Sequence, residues 1–452
     1  MLLPKLAHAL PRVQPIRIAL VAFAMVGCSF MALREVSAQL AKIEHQLGRS
    51  TTSTSPEAMR FDFGSGPVKP GWIQVQPDLI YDAEIGYGID LGTKPTAETR
   101  EGKDAVQRDR LTSKTPFYFS VRLPEGNYRV RVIFGDSQSA SSNTVKVEAR
   151  RLMLEHVATS PGEFAVHEFT VNLRSAQLPN GDWVRLKRGE ADKFHWDDKL
   201  TIEFNRSRPS VCGLEILPTS KATTLFLLGD STVTDQANEP WNSWGQMVTR
   251  FFDADVAVAN YAESGESLRS SLGELRVEKV LSSLRPNDYV FVQFGHNDQK
   301  IQGDDALPKY KTNLAKLVDK VRERGATPVL VTSMERKGGQ KKATLGLYPQ
   351  TVREVAAEKK VALIDLNQMS VQLYKGLGGD LNKAFQDGTH HNAYGSYQLA
   401  QCVVHGIQQS VPELASHLRS DFPSFDPGEP DPVDSWNLPP SPHVDLTPPE
   451  GS

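Results

Sequence analysis

Residues 224–232 read TLFLLGDST. Five apolar or β-favouring residues run straight into glycine, aspartate and serine, a pattern that predicts a buried strand delivering a hydroxyl at its carboxyl end. The pattern recurs downstream at 256–259 (VAVA), 288–294 (DYVFVQF), 328–332 (PVLVT) and 361–366 (VALIDL). Helical stripes lie between these runs. Tyr310, Leu314, Leu317, Val318 and Val321 fall at i, i+4, i+7, i+8 and i+11, and Ala393, Tyr397, Ala400, Val404 and Ile407 form a similar stripe. Strands buried on both faces and alternating with helices predict a three-layer α/β/α domain with a parallel sheet over 222–415. Ligands in such folds sit beyond the carboxyl ends of the strands, so chemistry is expected just after each one.

Polar blocks do stand at those places. Ser231 follows the first strand in GDST, where a following helix start would supply free amides. Taken alone, the string is a weak signal and reads first as a strand-to-helix turn with Ser231 or Thr232 as N-cap. NYAESGES (260–267) follows the second strand and brings Gly265; GHND (295–298) follows the third and brings His296 and Asn297. DGTHHNAYG (387–395) precedes the last helix and brings Asp387, His390 and His391. A serine hydroxyl needs a base to become a nucleophile, which His390 can supply. A carboxylate three positions earlier can reach the other ring nitrogen and fix the tautomer. Acyl transfer also needs donors aimed at an oxyanion, and the amides of Ser231 and Gly265 with the Asn297 side chain make a set of three.

These four blocks in this order resemble the SGNH (GDSL-type) hydrolases, a likeness that covers about 223–415. The strings DST at 230–232, FGHND at 294–298 and DGTHHNAYG are most similar to the rhamnogalacturonan acetylesterase branch. The resemblance implies a flavodoxin-like hydrolase domain and a carbohydrate O-acetylesterase. It makes Ser231 the nucleophile, His390 the base and then the acid, Asp387 its partner, and Ser231, Gly265 and Asn297 the oxyanion donors. The GxSxG elbow of ordinary α/β-hydrolases is absent around Ser231. Two rival readings remain: an esterase or lipase of simple lipid or aryl esters, and a glycan-binding envelope protein without catalysis. The intact Ser231, His390 and Asp387 argue against the last.

Upstream, residues 59–218 read as an all-β unit. Aromatic or alternating runs at 117–123 (FYFSVRL), 128–134 (YRVRVIF), 144–148 (TVKVE), 169–171 and 200–204 (LTIEF) are separated by turn signals such as Pro124-Glu125-Gly126-Asn127 and Pro179-Asn180-Gly181-Asp182. This spacing predicts a β-sandwich. FDFGSG (61–66) and GYG (86–88) resemble the jelly-roll, galactose-binding-like modules that precede some pectin-acetylesterase-like enzymes. Such a module either binds sugar or packs on the catalytic domain.

The ends of the chain read as address and tail. Lys5, Arg12 and Arg17 precede an uncharged, mostly apolar stretch at 18–33, and Val36-Ser37-Ala38 offers a small-residue cleavage site. Residues 1–38 are therefore expected to be a signal peptide or membrane anchor, with lipidation at Cys28 a third fate, and 39–58 a linker. Export to the periplasm, the envelope or the outside follows from any of the three. Residues 416–452 are rich in proline and aspartate and are expected to form a disordered or polyproline-like tail.

Composition removes other classes. Lys and Arg number 51 against 54 Asp and Glu, a net charge of −3, which argues against nucleic acid as partner. Three cysteines, Cys28, Cys212 and Cys402, are too few and too scattered for a zinc cluster or a disulfide scaffold. No metal or cofactor is expected, and the chain is expected to act as a monomer on an acetylated polysaccharide. Arg336 in MERK (334–337), Trp241, His296 and His391 are the candidate substrate contacts, with Arg336 placed to meet an acidic sugar.

Overall fold

The computed structural model describes residues 57–422 and 424–451, so the leader (1–38) and most of the linker lie outside the described residues. The strand Thr223–Gly229 shows why the α/β pattern is decisive. Leu225 and Leu227 enter the core on one face of the sheet with the helix Ala393–Ser410, whereas Phe226 and Leu228 enter the core on the other face with the helix Ala306–Glu323. All five residues of the stripe from Tyr310 to Val321 are buried. In the second stripe Tyr397, Ala400, Val404 and Ile407 are buried, and Ala393 packs half-buried at the helix start.

Thr223–Gly229 pairs in parallel with Val256–Asn260 on one side and Tyr289–Gln293 on the other. Thr327–Val331 and Ala362–Ile364 follow, also parallel. Numbered along this half, the strand order is 2-1-3-4-5, the flavodoxin-like order, whose switch point lies between strands 1 and 3. Ser231 and the His296-Asn297 pair emerge there.

Residues 59–218 form a β-sandwich. Phe117–Arg122, Ser141–Val147, Arg151–Thr159 and Lys199–Arg208 make most of one sheet, while Gly126–Gly135, Phe164–Leu173 and Ser210–Pro218 belong to the other. Phe61, Phe63, Phe119, Phe134 and Phe204 fill the space between them. Two of these strands, Arg151–Thr159 and Ser210–Pro218, escaped the sequence reading because their alternation is broken by charged and glycine positions.

The sandwich and the hydrolase half share one sheet. Phe164–Leu173 pairs in parallel with Val256–Asn260 through Thr170 and Val171, so one 12-stranded sheet runs through both. An otherwise open edge of the parallel sheet is covered in this way. Buried arginines of the sandwich extend the junction: Arg151 donates to the carbonyl of Val258 at 3.0 Å, and Arg150 to that of Trp241 at 2.9 Å. Of the two roles open to the module, packing on the catalytic half is therefore realised.

The tail departs from expectation. Trp436 packs on Tyr394 and Tyr397, and Asp431 accepts hydrogen bonds from Gln398 and Gln401. Lys146 and Asn205 of the sandwich donate to the carbonyls of Pro439 and Pro440. The composition argument concerns autonomous folding; a proline-rich segment loses little entropy on ordering and can borrow a surface built by the rest of the chain. Among the described residues no helix is long and apolar enough to cross a membrane.

Candidate active site

Asp230 shapes the turn that presents Ser231. Its Oδ1 accepts from the amide and hydroxyl of Thr232 at 3.0 and 2.7 Å, and its carbonyl accepts from the amides of Val233 and Thr234. No helix starts here, contrary to the strand-to-helix reading; the next is Trp244–Met247, capped by Ser243. The Asp230 side chain takes up a turn amide that would otherwise open a helix, and the chain continues as a loop.

The last block folds around Asp387. Its Oδ1 accepts the amides of Thr389 and His390, both at 2.6 Å, and its Oδ2 faces His390 Nδ1 at 2.8 Å. The other ring nitrogen, His390 Nε2, lies 2.8 Å from Ser231 Oγ. With Nδ1 protonated toward the carboxylate, Nε2 is left to accept the serine proton. Partial burial by itself would raise the Asp387 carboxyl. The ring of His390 and the two amides outweigh it and hold the group at about 2. Trp241 closes one side, its ring edge-on to His390 with centroids 5.9 Å apart.

Gly265 adopts φ +77, and a Cβ there would lie 3.1 Å from Lys187 Nζ, so both backbone and space favour glycine. The amides of Ser231 and Gly265 donate to no acceptor among the described residues. Asn297 Nδ2 gives one hydrogen to the carbonyl of Glu266 at 2.9 Å and keeps the other. This set suits an oxyanion. Asn297→Ala is expected to lower kcat on a small acetyl ester by about 10²- to 10³-fold with KM little changed. Steady-state kinetics check this, and a loss smaller than about threefold would remove Asn297 from the donor set.

The remaining sequence candidates lie close by. His296 Nδ1 faces Asp230 Oδ2 at 3.2 Å, behind the Ser231 turn. Tyr374 donates its hydroxyl proton to the carbonyl of Glu335, so His391 Nε2, 3.1 Å away, is the donor in their contact. Burial, with His390 adding to it, pushes His391 down to about 3 and keeps it neutral. The half-buried Arg336 donates to the carbonyls of His296 and Thr344 at 3.2 and 3.3 Å, tying two loops together beside the site. Trp244 is buried and donates to Gln293 Oε1. Cys212 and Cys402 are free, buried thiols.

Several residues at the site have no local sequence signal. Lys187, on a sandwich loop, donates to the carbonyl of Ser264 at 2.5 Å and pairs with Glu266 at 2.8 Å; Lys193 pairs with Glu263 at 2.6 Å. The module thus grips the loop on both sides of Gly265. Gln236 donates to the Ser231 carbonyl at 2.7 Å. The glutamates flanking Gly265 in NYAESGES were the only readable hint.

Asp298 braces the third block by accepting from the amide of Leu268 at 3.0 Å. Burial raises its carboxyl to about 7, against 3.8 for an exposed aspartate. The folded chain therefore binds this proton more tightly than the unfolded chain. Its contribution to stability is fully present below about pH 4 and is lost as pH rises toward 7. Asp298→Asn keeps the acceptor and removes the buried charge, so it is expected to raise Tm by about 2 °C or more at pH 8 and by almost nothing at about pH 3.5. Calorimetry at the two pH values checks the sign.

A strand-end serine joined to a histidine that an aspartate holds, on a 2-1-3-4-5 sheet, defines a serine-type ester hydrolase. The GDSL-like Lipase/Acylhydrolase family model matches residues 227–397, and a beta-agarase/YXIM esterase-like, galactose-binding domain-like model matches residues 59–180. Rhamnogalacturonan acetylesterase RhgT of Bacillus subtilis (strain 168) is 33% identical over 222 residues, 44% of this chain and 96% of that protein. The uncharacterized esterase YxiM of the same organism is 28% identical over 375 residues, 79% of this chain and 92% of its own length. The crystal structure of the YxiM protein aligns at 23% identity over 78% of this chain and 98% of that one, with a TM-score of 0.42. The chain belongs to the GDSL-like lipase and acylhydrolase family and is a carboxylic-ester hydrolase.

Proposed function

We propose that the protein is an exported carbohydrate O-acetylesterase whose substrate is an acetylated pectic polysaccharide of the rhamnogalacturonan type. The observation that carries the chemistry is the unbroken relay from Ser231 Oγ through His390 to Asp387, at 2.8 Å per step. Similarity to RhgT supports the substrate class, and the leader-like pattern at 1–38 supports export. Ser231 Oγ attacks the acetyl carbonyl carbon while its proton passes to His390 Nε2. The tetrahedral oxyanion is held by the amides of Ser231 and Gly265 and by Asn297. Collapse breaks the bond to the sugar oxygen, which takes the proton from His390 and leaves as an alcohol. Water then gives a proton to His390 and attacks acetyl-Ser231; acetate departs and the proton returns to Ser231.

Acetate release from acetylated rhamnogalacturonan, acetylated xylan and long-chain aryl esters tests the reading. Rhamnogalacturonan is expected to give the highest kcat/KM and long acyl chains the lowest. Preference for long-chain esters would transfer the protein to the lipid or aryl class, and preference for xylan would change the sugar.

A further inference from the structure

Ser231 and His390 keep only 2% and 1% of their surface exposed and Asn297 8%, so the reacting atoms are closed off. Part of the cover comes from the distant end of the chain. Glu239 donates its amide to the carbonyl of His443 at 2.8 Å and accepts from the amide of Asp445 at 2.9 Å, a parallel bridge that starts a strap across the site. Trp241 Nε1, on the residue packed against His390, donates to the carbonyl of Asp445 at 2.9 Å. Farther along, Glu450 comes within 3.5 Å of Lys187, and Lys300 donates to the carbonyl of Gly451. Gly451 lies beside two of the three residues of the oxyanion set: a Cβ added to it would stand 2.9 Å from Gly265 Cα and 3.2 Å from Asn297 Nδ2.

The hold is light. Val444 and Leu446 remain 66% and 72% exposed, so the strap buries little apolar surface; its hold includes a few hydrogen bonds, the ring contacts of His443 with Tyr118 and Phe194, and a solvent-accessible ion pair. Segments held in this way open at low free energy. Pro448 and Pro449 keep it extended, and its contacts are mainly N–H and ammonium donors meeting carbonyl and carboxylate oxygens. A chain rich in hydroxyl and carboxylate oxygens could take over the same donors.

We propose that residues 443–451 are an autoinhibitory strap, an intramolecular occupant of the catalytic groove that lifts before an ester reaches Ser231 and that an extended, oxygen-rich chain displaces. The proposal rests on the ester chemistry of the Ser231 site and is independent of which polysaccharide is cleaved. Its test compares the full chain with a variant lacking residues 443–452, which retains Ser441 and the contacts before it. Two rates are read: hydrolysis of 4-nitrophenyl acetate, and labelling of Ser231 by a small fluorophosphonate. If the open state is populated at about one part in ten, both rise about tenfold on deletion, because apparent affinity scales with the competent fraction. Asp445→Pro in the full chain removes the amide that donates to Glu239 and is expected to give a smaller rise in the same direction; it decides the matter if the shortened chain does not fold. Unchanged or lower rates in variants that keep the wild-type thermal transition would overturn the strap. Cleavage of the small ester without acetate release from any polysaccharide would instead count against the substrate reading and leave the strap result standing.

Discussion

Ser231→Ala is expected to lower acetate release by on the order of 10⁶-fold in kcat, with the fold retained. The size follows from the relay. Ser231 Oγ stands 2.8 Å from His390 Nε2, so its removal takes away the hydroxyl on which the acyl intermediate forms. The fold survives because what anchors Ser231 is backbone: its carbonyl accepts from Gln236 Nε2, and the turn around it hangs on Asp230. Acetate assay, thermal unfolding and fluorophosphonate labelling together check it. Retained turnover in the folded variant would mean that acyl transfer does not pass through Ser231.

The second large effect belongs to Asp387→Asn, for which a fall of about 10⁴-fold in kcat is expected with little change in KM. Asp387 does two things with two oxygens: Oδ1 receives the amides of Thr389 and His390, and Oδ2 receives the ring proton on His390 Nδ1. An asparagine can keep the first with its carbonyl oxygen, which turns its NH₂ toward the ring. The ring then has to accept at Nδ1 and carry its proton on Nε2, the wrong tautomer for taking a proton from Ser231. Because the wild-type carboxyl is held at about 2, its ionisation does not limit activity anywhere above about pH 3. Kinetics of the variant from pH 5 to 9 check the assignment. A loss of less than about tenfold would reduce Asp387 to a turn-capping residue.

Much of the site was legible because its chemistry is local. Ser231, Gly265, Asn297, Asp387 and His390 each fall in a short string right after a strand or right before a helix, and the rule that ligands gather at strand ends brings them together without coordinates. Asp387 and His390 lie three residues apart, so one turn dictates their contact. Arg336 shows the limit of this reasoning: a cation beside a strand end reads as a ligand contact, but the two backbone carbonyls that orient its guanidinium cannot be identified from sequence. The missing turn helix after Ser231 has a similar origin, since an aspartate side chain competing for turn amides looks identical in sequence to a cap.

Local sequence was therefore enough for the layer architecture, the strand and helix periodicities and the order of the catalytic blocks, because period and motif act over a few residues. The three-dimensional packing settled what depends on distant pairings. It joined the sandwich to the edge strand Val256–Asn260, carried Lys187 and Lys193 to the loop around Gly265, and laid a proline-rich tail across the groove. Contacts such as Lys187 with Ser264, or Gly451 with Asn297, join residues with no periodic relation to each other, and only the assembled cores bring them within reach.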